Sequence, residues 1–278
     1  MKVEVVTEGK EVRCTFDELI DDELDSKGNF SVWRLSKFFM DARLAWILNS
    51  ENIKLVFRTE CSFFVRSQKI TVYPAFYSKI RHSISAVCTA RVIQVGKTSL
   101  VMVFDLQMKS TGEMISTCLL HYVCVSIKTR RSMPLPLNYI HDHADLTKIP
   151  RPTIVSEFPG FPTNPRNLFN YPIVVVSSDI DNNGHTNHSR YIEYCMVCAD
   201  FAARERVYSI IRKDVTEYQV RDISLTYLGE SLLNDKLLVT SWEDNRNPHI
   251  VYFVIHKDKR LIFWCSINFN ISKLQSRI

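Results

Sequence analysis

The residues best suited to chemistry stand together in the second half of the chain, directly before a segment with helical periodicity. Asp181, Asn183 and His185 alternate with other residues, and Gly184 lies between the last two. A carboxylate can act as a nucleophile or as a general base on water, and a histidine can move a proton near neutral pH. The asparagine amide can orient the carboxylate or the water. If a buried helix begins at Gly184, its unpaired N–H groups would face a developing oxyanion, and the glycine would let a substrate approach the backbone.

The same residue types also stabilise helix ends without any catalytic role. Aspartate, asparagine and glycine are common capping residues at the start of a helix. Asn187 is suited to a hydrogen bond with the backbone of the first turn as well as to a substrate contact. Tyr191 is as compatible with core packing as with a substrate contact. For Asp181, the asparagine and histidine at fixed offsets favour the functional interpretation.

Metal and redox chemistry find little support in the sequence. The eight cysteines lie mostly inside apolar stretches, so we expect reduced thiols in the core. Cys195 and Cys198 have Cys-x-x-Cys spacing but lack the second ligand pair or the strand-to-helix setting that a zinc or redox site requires. His141 and His143 supply two ligands without a third. We therefore predict no metal site and no redox cofactor.

The composition is that of an ordinary globular chain. Of 278 residues, 46% are hydrophobic and 23% are charged. The net charge of +5 includes no cluster of Lys and Arg beyond 128–131, which argues against a nucleic-acid partner but suits an anionic small molecule. The longest apolar runs, such as 173–176, are too short to cross a membrane, and the N-terminal residues lack the features of a signal or transit peptide. We therefore expect a cytoplasmic protein without a membrane partner.

The distribution of proline predicts two modules. Eight of the ten prolines lie between Pro134 and Pro172. Because proline breaks helices and cannot donate a backbone hydrogen bond, the segment 133–170 is predicted to be an extended linker. The residues before it, 1–132, and after it, 171–278, are each numerous enough for a compact module.

The two modules share a pattern that indicates a duplicated unit. The segments 31–48 and 188–208 both have helical periodicity and are apolar nearly all round, so both helices are predicted to be buried. A second pair of landmarks, 70–73 and 224–227, keeps nearly the same offset.

The remaining apolar segments of each module alternate as strands do. One short strand precedes each predicted helix, and about four alternating strands follow it. A sheet of this length must curl around the helix in order to bury it. Each module is therefore predicted as an α+β unit, a long buried helix wrapped by a curved antiparallel sheet.

The segment 178–191, SDIDNNGHTNHSRY, resembles the helix-opening motif of the hotdog-fold thioesterases, Asp-x-Asp-x-x-Gly-His-x-Asn-x-x-x-Tyr. Within it, Asp181, Asn183 and His185 are similar to the Asp-x-Asn-x-His trio of plant and bacterial acyl-ACP thioesterases. The wider resemblance is to two hotdog units in tandem, and it covers nearly the whole chain.

The first half keeps only part of this motif. Asp25 and Gly28 remain, whereas Lys27, Asn29 and Ser31 replace the asparagine, the histidine and the second asparagine. For Asp25 the capping interpretation is the stronger one. The sequence therefore predicts a single competent site, in the second half.

The resemblance implies an enzyme of fatty acid metabolism that hydrolyses acyl-CoA or acyl-ACP to a free fatty acid and a thiol, without a cofactor. The related acyl-ACP enzymes also use an acidic residue further along the chain, and Glu217 lies in that neighbourhood. In hotdog enzymes the acyl chain lies between the helices of paired units, which implies that Phe38 and Phe39 line the acyl channel. The resemblance also allows two such chains to form a homodimer.

Two alternatives to hydrolysis remain open at this point. One is hydration or dehydration of an enoyl or 3-hydroxyacyl thioester, the other chemistry common on this fold. The second is a non-catalytic protein that binds acyl thioesters, since the degraded first half shows that this chain tolerates loss of the motif. Release of free thiol from acyl-CoA distinguishes hydrolysis from both.

Overall fold

A computed structural model of the chain divides into two units, Met1–Ile154 and Val155–Ile278. The boundary falls inside the predicted linker, 133–170. The first-half motif positions 25–29 lie outside the residues that the structure describes. The described residues are 1–17, 30–57, 59–79, 85–155, 158, 160–161, 168–181 and 183–270.

Unit 1 packs one long helix against an antiparallel sheet. Its elements in chain order are β1 (Lys2–Thr7), β2 (Glu11–Phe16), α1 (Leu35–Leu48), α2 (Glu51–Lys54), β3 (Cys61–Val72), α3 (Pro74–Lys79), β4 (Ala86–Val95), β5 (Ser99–Met108), β6 (Met114–Ser126), α4 (Leu137–Asp142) and α5 (Ala144–Thr147). The strand order is β1-β2-β4-β5-β6-β3. Helix α1 lies against β2 and β4, and the alternating buried residues of β4 form part of the core that it covers.

Unit 2 repeats this arrangement with fewer elements. They are β7 (Phe169–Val174), α6 (His188–Arg204), β8 (Gln219–Tyr227), β9 (Lys236–Glu243), β10 (Ile250–Lys257) and β11 (Arg260–Asn270). The strand order is β8-β11-β10-β9-β7, and the four neighbouring pairs are antiparallel. Helix α6 lies against β7 and β9. Short 3-10 helices at Ser177–Asp179 and Val215–Glu217 complete the unit.

The two units have the same topology once β1 is set aside. The order β2-β4-β5-β6-β3 of unit 1 corresponds strand for strand to β7-β9-β10-β11-β8 of unit 2. The landmarks 70–73 and 224–227 stand at the ends of the equivalent strands β3 and β8. The predicted α+β class and the predicted duplication are therefore confirmed.

One expectation about these elements is wrong. Unit 1 has two strands before its helix rather than one; Val3 and Val5 of β1 alternate with charged residues, but all six residues of the strand are exposed, so the alternation marks no buried face. Both long helices are buried against their sheets, as predicted, and each leaves its other side exposed. Leu48 on α1 and Phe201 on α6 are 50% and 41% exposed, because a helix on one sheet face buries only one side of itself.

The first part of the predicted linker is not extended but folds onto unit 1. Residues 137–142 and 144–147 form α4 and α5. Tyr139 on α4 is buried, and its hydroxyl donates to the carbonyl oxygen of Gly9 at 3.1 Å. The indole N–H of Trp46 donates to the same oxygen at 2.9 Å. These contacts account for the helical structure at a place where proline density alone suggests none.

The second part of the predicted linker contributes aromatic residues to unit 2. The ring of Phe158 lies 5.7 Å from that of Trp264, and the ring of Phe161 lies 5.4 Å from that of Trp242. Val155 and Leu168 pack against the same cluster. Apolar burial therefore anchors both ends of this proline-rich segment.

The eight cysteines are buried free thiols, as the sequence predicts. Desolvation raises the pKa of several of them, including Cys198, whose pKa rises to about 12. Among the described residues, no group of histidine, cysteine and carboxylate side chains is arranged to hold a metal ion. Within the same residues, no helix combines the length and hydropathy needed to cross a bilayer.

Candidate active site

The predicted site residues lie on a tight loop between β7 and α6. The helix begins at His188, four residues later than the predicted start at Gly184. Gly184 has a φ of +78°, in the left-handed region, which a right-handed helix cannot include. The loop instead closes on itself through an isolated antiparallel bridge between Ile180 and Thr186.

The carboxylate of Asp181 is the centre of this loop. Its Oδ1 accepts the backbone N–H of Asn183 at 2.8 Å, which fixes the orientation of the carboxylate. Its Oδ2 lies 3.4 Å from Nδ1 of His185 and 3.5 Å from Nδ2 of Asn183, the outer limit of a hydrogen bond. The side chains of Asp181 and His185 are 20% and 15% exposed, so solvent reaches both. The structure thus brings together the three residues that the spacing predicts.

Backbone hydrogen bonds use most of the loop's own N–H groups. The N–H of Asp181 donates to the carbonyl oxygen of His185 at 2.9 Å, and that of Gly184 donates back to Asp181 at 3.0 Å. The N–H of Thr186 donates to Ser231 at 2.9 Å. The expectation that the Gly184 amide is unpaired is therefore wrong, because the turn that places Asp181 beside His185 consumes it. Apart from its chain neighbours, no described residue has an atom within 4 Å of the position that a Cβ of Gly184 would occupy, so the described residues leave that side of the loop open.

Asn187 caps the helix. Its Oδ1 accepts the N–H of Ser189 at 3.0 Å, and its own N–H donates to the carbonyl oxygen of Asp179 at 2.7 Å. This confirms that Asn187 bonds the backbone of the first turn, one of its two predicted roles. The cap holds the loop in a fixed position at the positive end of the helix dipole.

Asp179 ties the loop to the body of the helix. Its carboxylate is buried; Oδ2 accepts the hydroxyl of Tyr194 at 2.7 Å and the N–H of Val176 at 3.0 Å. Nε of Arg190 lies 3.4 Å from Oδ1. Burial, together with the hydrogen bond to this carboxylate, raises the pKa of Tyr194 above its ordinary value. Asp179 belongs to the motif, but its spacing from the other residues does not predict this role.

Ser231 ties the loop to the segment that follows β8. Its Oγ lies 2.7 Å from Oγ1 of Thr186 and 2.9 Å from the hydroxyl of Tyr191. Its N–H donates to that hydroxyl at 3.0 Å. Tyr191 is buried and committed to this network, which favours the packing interpretation of that residue. Ser231 is far from the motif in the chain, and no sequence signal pointed to it.

The structure does not bring Glu217 to this loop. The 3-10 helix that contains Glu217 packs near the C-terminal half of α6, where the N–H of Val215 bonds Oδ1 of Asp200 at 3.3 Å. Asp200 is about 18 Å along the helix from His188, at about 1.5 Å per residue. Glu217 itself is exposed, and its Oε2 lies 3.9 Å from Nζ of Lys213. Within unit 2, Glu217 lies just before β8, whereas the loop with Asp181 contacts the segment after that strand. The predicted catalytic role of Glu217 stays a prediction.

Phe38 and Phe39 lie in the core of unit 1. The ring of Phe38 is 4.9 Å from that of Phe16, and the ring of Phe39 is 5.8 Å from that of Phe104. Both side chains are almost fully buried. Their predicted part in an acyl channel stays a prediction.

Comparison with known proteins identifies the fold. No family model and no curated protein sequence matches the chain. Among solved structures, it is similar to a provisionally named oleoyl thioesterase from Lactobacillus plantarum, with 15% identity and a TM-score of 0.72 over 95% of this chain and 99% of that one. It is similar to a 12:0-ACP thioesterase from Umbellularia californica, with 13% identity and a TM-score of 0.72 over 94% of each chain.

A third structure gives the same result. An acyl-ACP thioesterase from Bacteroides thetaiotaomicron is 15% identical, with a TM-score of 0.67 over 94% of this chain and 98% of that one. At these identities the likeness shows the fold. The chain therefore has the tandem hotdog fold that the motif resemblance implies.

Proposed function

We propose that this protein is a thioesterase that hydrolyses acyl-CoA or acyl-ACP, with one competent site on the loop before α6. The observation that carries the proposal is the carboxylate of Asp181, held by the N–H of Asn183 and lying 3.4 Å from Nδ1 of His185 on a solvent-accessible loop. The names of the three similar structures support the same class of reaction.

Asp181 supplies the carboxylate that activates the attack. As a general base, it takes a proton from a water molecule while the water oxygen bonds to the thioester carbonyl carbon. The tetrahedral intermediate then expels the sulfur, and the protonated imidazole of His185 gives the thiolate its proton. As a nucleophile, Asp181 would instead form an acyl-aspartyl anhydride that water hydrolyses in a second step. Both routes end in a free fatty acid and a thiol.

The side-chain amide of Asn183 is a candidate donor to the thioester carbonyl. Asn183 is exposed, and its Nδ2 makes a long contact with Oδ2 of Asp181 at 3.5 Å. A donor of this kind in an oxyanion site is worth about 3–4 kcal/mol of transition-state stabilisation. The open space beside Gly184 would admit the reacting carbonyl to the same side of the loop.

The finer parts of the proposal rest on the resemblance and the chain's composition. We place the substrate in fatty acid metabolism, the protein in the cytoplasm, and no metal or cofactor in the reaction. A homodimer of such chains remains part of the proposal. So does the acyl-channel role of Phe38 and Phe39.

A thiol-release assay tests the proposal. Wild-type protein, offered acyl-CoA substrates from short to long chains, should release CoA, and Asp181→Asn should lose this activity while keeping its secondary structure. Asp222→Asn is a matched control. The carboxylate of Asp222 is also partly buried and lies 3.6 Å from Nε of Arg221, but it stands in the first half of β8, whereas the loop with Asp181 contacts the segment after that strand. Binding without thiol release by the wild type would contradict hydrolysis and favour the acyl-binding alternative.

The acyl-channel role has its own test. Phe39→Leu should shift the preferred chain length, whereas Phe104→Leu, which loses the same ring contact from the other side, should not. If the two variants change the chain-length preference equally, Phe39 acts as a core residue and has no specific role in the acyl channel.

A further inference from the structure

The β10–β11 hairpin of unit 2 forms a cleft that the proposed chemistry does not use. The cleft has a volume of about 520 Å³. Its walls come from the hairpin turn and from the segment after β8; the lining residues are Glu230, Lys257, Asp258, Lys259, Arg260 and Ile262. The turn concentrates three cationic side chains within four consecutive residues.

Two of these cations are available to a ligand. Lys257 is engaged, with its Nζ 2.6 Å from Oδ2 of Asp235. Lys259 and Arg260 are exposed, and no carboxylate within the described part of the chain pairs with either. Glu230 and Asp258 also line the cleft and repel anions, so an anion would have to be held by direct contacts with the two available cations rather than by the net charge of the surface. A guanidinium beside an ammonium is a common arrangement for a phosphate group.

The floor of the cleft leads to the loop that contains Asp181. The carbonyl oxygen of Ile262 accepts the N–H groups of Leu228 and Gly229 at 2.8 and 3.0 Å. A Cβ at Gly229 would meet Cγ2 of Ile262 at 3.0 Å, so this segment lies directly on the cleft floor. Two residues further on, the carbonyl oxygen of Ser231 accepts the N–H of Thr186. The cleft and the candidate active site are thus joined by one short segment at the same end of the sheet.

From this arrangement we infer that Lys259 and Arg260 bind the phosphate of the phosphopantetheine arm that carries the acyl group. The inference rests on the proposed function, because it is the thioester chemistry that implies such an arm. The arm is a flexible chain with the thioester sulfur at one end and a phosphate at the other. CoA and acyl carrier protein share this group, so the cleft would serve either carrier.

Binding of the arm, measured without turnover, tests the inference. By isothermal titration calorimetry, the wild-type protein should bind 4′-phosphopantetheine about ten-fold more tightly than pantetheine, which lacks the phosphate. The double variant Lys259→Ala, Arg260→Ala should bind the two compounds equally. The matched control Arg221→Ala, Arg246→Ala, which removes two exposed cations from the opposite end of the sheet, should keep the difference.

Three results would overturn the inference. They are equal binding of phosphopantetheine and pantetheine by the wild type, an unchanged difference in the Lys259/Arg260 double variant, and the same loss in the control variant. Titration with CoA distinguishes the phosphate of the arm from the nucleotide phosphates of CoA. If CoA binds more tightly than pantetheine but phosphopantetheine does not, any role of the cleft belongs to the nucleotide phosphates, which contradicts the inference. Thiol release decides the proposed function separately, since the binding experiment requires no hydrolysis.

Discussion

The two units share a topology but differ in how they treat buried polar groups. In unit 2, the buried side chains of Asp179, Thr186 and Ser231 all have hydrogen-bond partners around the entrance to α6. In unit 1, several buried side-chain atoms have no partner among the described residues. These atoms are Ser36 Oγ, Arg43 Nε, Gln68 Oε1, Gln94 Oε1, His121 Nε2 and His143 Nε2.

This contrast separates two requirements on the sequence, one for the fold and one for the buried hydrogen bonds. The apolar alternation of the strands is enough to reproduce one fold twice. A satisfied buried polar network is a stricter requirement, because every member needs a partner in good geometry. It occurs in the unit that keeps the complete motif. The network around Asp179 and Ser231 therefore fixes the position of the loop that we propose as the active site, whereas the unpaired polar atoms of unit 1 form no such network among the described residues.

The largest expected effect is that of removing Asp179. In Asp179→Ala, the hydroxyl of Tyr194 and the N–H of Val176 lose their acceptor, and Arg190 loses a partner. We expect unit 2 to lose about 3–5 kcal/mol of unfolding free energy, measured by urea denaturation. Asp145→Ala, which breaks an exposed ion pair with Lys10, should change the free energy of unfolding far less, because solvent screens that pair. Similar costs for the two variants would remove the distinction between the buried network and ordinary surface charge.

The next effect concerns pH and belongs to unit 1. Burial, with the charges of Arg151 and Arg66, lowers the pKa of His121 to about 4. The unfolded chain, with a histidine pKa near 6.5, takes up the proton first as the pH falls. Unit 1 should therefore lose up to about 3 kcal/mol between pH 6.5 and pH 4.

Substitution of His121 isolates this contribution. His121→Gln cannot titrate, so its unfolding free energy should fall less steeply over the same interval than that of the wild type. The control is His141→Gln, since His141 is 91% exposed. If the wild type and His121→Gln have parallel pH profiles, the buried imidazole makes no contribution.

We expect a smaller difference in unfolding free energy when one buried polar residue is replaced in each unit. Ser231→Ala in unit 2 removes one hydrogen bond from each of the hydroxyls of Thr186 and Tyr191, which keep their bonds to the backbone of residue 231, and should cost about 1–1.5 kcal/mol. Gln94→Met in unit 1 removes an amide oxygen that is already unpaired, so it should change stability by less than about 1 kcal/mol. Thermal unfolding of the two variants measures both. A larger cost for Gln94→Met would show that unit 1 is no less dependent on its buried polar groups.

The sequence predicts local features of this protein better than distant ones. The alternation predicts strands after each helix, and the structure has them, β5 among them. The convergence of Asp181, Asn183 and His185 depends on a turn of a few residues, and their spacing predicts it. The contact of Ser231 with Tyr191 joins residues far apart in the chain, and only the paired strands bring them together. The position of Glu217 is another distant feature: it depends on where β8 begins, which the distance from His185 in the chain does not predict.

The most direct test of the account compares the two aspartates that the duplication relates. Asp181→Asn should lower the rate of thiol release from acyl-CoA by about 100- to 10,000-fold, with an unchanged circular dichroism spectrum. Asp25→Asn, at the corresponding position of the first-half motif, should keep the wild-type rate. An active Asp181→Asn variant, or an equal loss of rate in Asp25→Asn, would contradict the claim that a single loop in unit 2 performs the hydrolysis.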